Sequence, residues 1–138
     1  MNNIIDLLEL VEAIDMQNDM ISYYFNKREN ELVFVMDDMY CDEENNKKLL
    51  ETIENNFKDY IALPLADEYK MMEDFCGEQT QEVQNILNKI LNGKRPFRKF
   101  KDKVFELDIR DKWFAFQKEK LEKVAIDWCE MNNVSIKR

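Results

Sequence analysis

The chain has 138 residues, 45% of them hydrophobic, and a formal net charge of −9. A chain of that length buries roughly two-thirds of the surface its unfolded form exposes, enough for one core without disulfide staples. Its lack of histidine excludes Ser–His and Cys–His catalysis and zinc sites built on imidazole, so any enzyme here would rely on carboxylates, lysine, tyrosine or an oxygen-held metal.

Taken in chain order, Asn2 or Asn3 can cap a first helix running to about Met16. Its expected buried stripe is Ile4, Leu7, Leu8, Val11 and Ile14, with Asp6, Glu9, Glu12 and Asp15 in water. Those acids, and the absence of a basic leader, argue against a secretory signal. Ile21, Tyr23 and Phe25 then alternate with Ser22, Tyr24 and Asn26. Lys27–Asn30 turns the chain, and Leu32, Phe34 and Met36 resume opposite Val33 and Val35, which predicts a hairpin.

Asp37 to Glu44 holds five carboxylates in the run DDMYCDEE. A divalent cation is conceivable there, because hard cations take several oxygens, but the run lacks the ligand spacing of an EF-hand loop. We therefore read Asp42 as a cap, with Glu43 and Glu44 against the positive end of a helix over about Glu43–Phe57 that turns Leu49, Leu50, Ile53 and Phe57 inward. No metal is expected. Asp59–Leu63 precedes Pro64, which favours extended backbone, so it reads as a third strand for the hairpin.

Asp67 caps the next helix, carrying Tyr69, Met72 and Phe75 and ended by Gly77. Gln79–Leu91 follows, with Val83, Ile86, Leu87, Ile90 and Leu91 as its apolar face and Gly93 as its stop. Pro96 suits the first turn of another helix, in which Phe97, Phe100 and Val104 recur at inward spacing. The longest helix runs over about Asp111–Met131 with an expected stripe of Phe114, Gln117, Leu121, Val124, Ala125, Trp128 and Met131, and with Trp113 and Phe116 beside it. Asn132 and Asn133 can end it, and Val134–Ile136 is a terminal strand or a surface segment.

These elements predict a single α+β domain over residues 1–138: a small antiparallel sheet, made of the hairpin and one or two short strands, packed with five or six helices. No run reaches the roughly 18 apolar residues a spanning helix needs. Cys41, Cys76 and Cys129 are widely spaced and odd in number, which points to buried thiols in a reducing cytoplasm. No phosphate-binding loop, dinucleotide fingerprint or nucleophile elbow occurs, and no cofactor is expected.

The functional clue is Lys94–Lys103, where Lys94, Arg95, Arg98, Lys99, Lys101 and Lys103 face one acid, Asp102. That block carries +5, so the rest of the chain carries −14. The plainest reading is a solvated flank neutralised by acids such as Asp37, Asp38 and Glu43, with each exposed pair worth at most about 1 kcal/mol. A second reading is a docking surface for an acidic protein partner or for another copy of the chain. A third is RNA or single-strand binding, opposed by the −14 elsewhere and by phenylalanines at core spacing. Membrane attachment is disfavoured because the basic helix is short and its apolar face is spoken for. The expectation is a non-catalytic interaction module that uses Lys94, Arg95, Arg98, Lys99 and Lys101 as its contact surface.

Several of these stretches carry a resemblance. DYIALP at Asp59–Pro64, Tyr69 with Met72 and Phe75, GKRPFRKFKD at Gly93–Asp102, Trp113, Phe116, and Ala125 with WCE at Trp128–Glu130 resemble the bacterial uncharacterised protein family UPF0158. The hairpin YYFNKRENELVFV at Tyr23–Val35 fits its N-terminal pattern, so the resemblance covers nearly the whole chain. It implies a soluble intracellular domain and assigns no activity or catalytic residue. The family pattern has a second glycine and a small residue where this chain has Arg95 and Pro96. A loop needing a left-handed glycine to admit a phosphate would be opposed by Arg95.

Overall fold

In a computed structural model, which describes residues 3–36 and 43–138, the first departure comes at the start of the chain. Asn3–Asp6 is a strand, β1, and the helix α1 begins only at Leu7 and runs to Met16. Asp6, not Asn2 or Asn3, is the cap: its carboxylate accepts the Glu9 N–H at 3.1 Å. The buried face is Leu10, Val11, Ala13 and Ile14, while Ile4 and Leu8, expected inside, are exposed. The misplaced start shifted the expected stripe by about one position.

The hairpin is as expected. β2 (Ile21–Asn26) and β3 (Glu31–Met36) pair antiparallel, Tyr23 opposite Phe34 and Phe25 opposite Leu32, around a turn over 27–30. β4 (Tyr60–Ala62) adds antiparallel to the other edge of β2, giving the order β3-β2-β4. Between them lies α2 (Glu43–Asn55), which buries Ile53 but leaves Phe57, beyond its end, 70% exposed instead of inward. The Asp42 cap lies outside the described residues.

Asp67 caps α3 (Glu68–Gly77), its carboxylate accepting the Lys70 N–H at 3.0 Å. α4 (Gln81–Leu91) starts two residues later than expected, because the Thr80 hydroxyl accepts the Val83 N–H and so takes the cap. α5 covers Pro96–Glu106 and α6 covers Arg110–Met131. On α6 the inward side holds Trp113, Leu121, Ala125, Trp128 and Cys129, so Trp113 is core, whereas Phe114 and Met131 are exposed. The last strand, β5 (Val134–Lys137), does not join the antiparallel sheet. It pairs parallel with β1, Ile5 opposite Ile136. The fold is α+β, with six helices and two small sheets among the described residues.

The residues divide into two compact units, one formed by Met1–Ala66 with Leu121–Arg138 and the other by Asp67–Lys120. In the first, Phe25 meets Trp128 edge to face at 6.1 Å, and the Trp128 indole N–H donates to the Ala62 carbonyl at 3.0 Å. Gln17 clamps two segments, donating to the Pro64 carbonyl at 2.8 Å and accepting the Tyr23 N–H at 2.9 Å. In the second unit, four rings form the centre. Phe75 contacts Trp113 and Phe116 at 5.4 Å and Phe100 at 6.2 Å, and Phe100 contacts Trp113 at 5.0 Å. Such edge-to-face pairs add about 0.5–1.5 kcal/mol each beyond the area they bury, and through Phe100 they hold α5 from beneath.

Candidate functional site

The basic block sits on the second unit, in the turn over 92–95 and on α5. Asn92 ends α4 by donating its N–H to Asn88 and Ile90, and Gly93 donates to the Ile90 carbonyl at 3.1 Å. Arg95 then takes a left-handed conformation, φ 51° and ψ 54°, which lets Pro96 open the helix. The left-handed geometry that Arg95 was expected to oppose is therefore present and is held by Arg95 itself.

The N-terminal end of α5 is electrostatically unusual. Arg95 gives it no side-chain cap, and its first turn holds no acid but carries Arg98 and Lys99. A helix N-terminus is already positive, so a cation there costs about as much as an anion gains, roughly 0.3–1 kcal/mol. Stability alone would place Asp or Glu at these positions.

The five expected contact residues do not stay together. Lys94, Arg95, Arg98 and Lys99 are exposed, and among the described residues none of them is in an ion pair. Lys101 points the other way, its ammonium 3.0 Å from Glu68 of α3. Lys103 is 2.7 Å from Glu106. The acids Asp37 and Asp38, read as neutralising neighbours, lie outside the described residues, as does the side chain of Glu43.

Lys99 and Lys103 instead border an open groove of about 340 Å³ between α4 and α5, with Ile86, Lys89, Ile90 and Gly93 as its other walls. Ile86 and Ile90 are half-buried, so the groove has apolar patches between cations. Lys89 is not among the residues that the sequence singles out. Its signal was there, a single cation in QEVQNILNKIL between two isoleucines of the apolar face, but only the packing of α4 on α5 makes it a neighbour of Lys99. Phe97, expected in the core, is 44% exposed and packs edge to face on Tyr69 at 6.4 Å, while the Tyr69 hydroxyl donates to the Leu91 carbonyl.

The other candidate chemistry is thinner. The Asp37–Glu44 run lies outside the described residues except for its last two positions, and among the described residues no three acids or cysteines are grouped as metal ligands. Cys76 and Cys129 are buried free thiols, as expected, and burial pushes Cys129 up and Cys76 up to about 11. Cys41 lies outside the described residues. Among those residues no helix is long and apolar enough to cross a membrane.

Comparison with known proteins agrees with the resemblance carried by the sequence blocks. A UPF0158 protein of Pseudomonas aeruginosa is 30% identical over 66 residues, a match covering 46% of this chain and 43% of that protein. No solved structure matches this chain. The family model described as uncharacterised protein family UPF0158 matches residues 1–137, and the chain belongs to that family.

Proposed function

We propose that the chain is a non-catalytic, cytoplasmic interaction module whose α4–α5 groove takes an acidic, partly apolar segment of a protein partner. The observation carrying this reading is that Lys89 and Lys99, exposed and outside any ion pair among the described residues, line a groove with isoleucine in its walls, while Lys94, Arg95 and Arg98, equally exposed and unpaired there, lie in the adjoining turn and the start of α5. Cations outside any ion pair among the described residues, with Arg98 and Lys99 at the start of α5 where the helix dipole makes them costly, are consistent with an external anionic partner. The isoleucines favour a partner with apolar side chains over a bare phosphate backbone.

The test is fluorescence anisotropy with two labelled probes of equal charge: an amphipathic helical peptide with leucines on one face and glutamates beside them, and a single-stranded oligonucleotide. The peptide is expected to bind more tightly, and Lys89→Glu with Lys99→Glu to weaken it at least about tenfold, or ~1.4 kcal/mol, with the melting temperature nearly unchanged. Equal peptide binding by the double variant overturns the reading. Tighter binding of the oligonucleotide replaces it with the nucleic-acid reading.

A further inference from the structure

The chain contains a segment with the chemistry the groove calls for. α1 turns one face outward, and its exposed members are Leu8, Glu9, Glu12, Asp15 and Met16. At 100° per residue these five fall within an arc of about 120°. Leu8 is 58% and Met16 54% exposed, and none of the three carboxylates is in an ion pair among the described residues. The face is acidic with an apolar residue at each end, while the groove is basic with isoleucines in its walls.

The charge of the whole chain is divided along the same line. Asp67–Lys120 has 12 basic and 11 acidic residues, a net +1. The other unit has 8 basic and 18 acidic residues, a net −10. Two copies therefore present opposite surfaces to each other when the groove of one approaches α1 of the next, an arrangement that steers encounter and fixes register.

We infer that the acidic segment taken by the α4–α5 groove is the α1 face of a second copy of this chain. This rests on the docking reading above and names its partner. The two surfaces that meet are different, the groove of one copy and α1 of the other. α1 has ten residues, about 15 Å of helix, so the contact area falls below the roughly 1,200 Å² of standard stable complexes. The association is correspondingly weak, in the micromolar to millimolar range, and is lost at high salt as screening shortens below ~10 Å.

Sedimentation velocity on the full chain tests this. The wild type is expected to sediment faster as concentration rises at low salt. Lys89→Glu/Lys99→Glu is expected to remain a monomer, and so is Glu9→Lys/Glu12→Lys. Mixing the two variants restores association, because the intact groove of one meets the intact α1 of the other. If charge reversal costs the fold, judged by circular dichroism, the corresponding Lys→Gln and Glu→Gln variants ask the same question by neutralisation. A wild type that stays monomeric to about 1 mM, or variants that fail to complement each other while the wild type associates, overturns the inference. The anisotropy experiment then shows separately whether the groove still takes an acidic peptide.

Discussion

Four non-glycine residues hold a positive φ among the described residues: Asn30, Arg95, Asp108 and Asn133. Three are the short polar types that tolerate this region, and Arg95 is the exception. Neither glycine uses it, so Gly77 and Gly93 mark helix ends without a left-handed turn. For Arg95 the cost is about 1–2 kcal/mol, added to the preference of a pre-proline residue for extended backbone. Arg95→Gly relieves it but restores unfolded-chain freedom worth about 0.5–1 kcal/mol. The expected result is a gain of about 0.5–1 kcal/mol, seen as a melting temperature raised by a few degrees, while Arg95→Ala gives none. Cys76 carries a different test. At 2% exposure its thiol is pushed by burial from the ordinary 9.0 up to about 11. The folded state thus keeps its proton where the unfolded state loses it. That contribution to stability is complete below pH 9 and falls away between pH 9 and 11, by about 2–3 kcal/mol. Urea unfolding at both ends of that range should show a smaller loss for Cys76→Ala than for the wild type.

Among the elements, those with strong local signals formed where the sequence placed them. The hairpin needs only alternation and a polar turn, and α3 needs only Asp67 and an apolar stripe, both within a few residues of one another. At β1 the sequence points to helix instead, because Ile4, Leu7, Leu8 and Val11 also satisfy helical spacing. What makes Asn3–Asp6 extended is a partner more than a hundred residues away, β5, together with the Asn30 side chain, which accepts the Ile4 N–H at 3.3 Å. Ile5 and Val134 are the buried residues of that parallel pair. Ile5→Ala is expected to cost about 2–4 kcal/mol. Its signature is local: faster hydrogen exchange at Val134–Lys137, read by mass spectrometry, with the antiparallel sheet still protected. Unchanged exchange in β5 would show that Ile5 does not hold it.

At the scale of the whole molecule, the distribution of charge matters more than its sum. A net −9 argues against any anionic partner if it is spread evenly, yet the unit bearing the basic block is +1 and nearly all the excess acid is elsewhere. At physiological salt a charge is felt over about 8 Å, so the groove responds to the cations around it and not to the chain total. The amino-acid sequence by itself determined the α+β class, the hairpin with its third strand, the helix cap at Asp67, the helix start at Pro96, and the basic block, because each depends on periodicity or chemistry within a few residues. Only the tertiary structure decided that β5 pairs with β1, that Trp113 is core while Phe97 lies half outside, that Glu68 claims Lys101, and that Lys89 joins Lys99 across a groove. Those outcomes depend on which distant surfaces meet, and the free energy of such contacts is set by packing between elements, which no local pattern records.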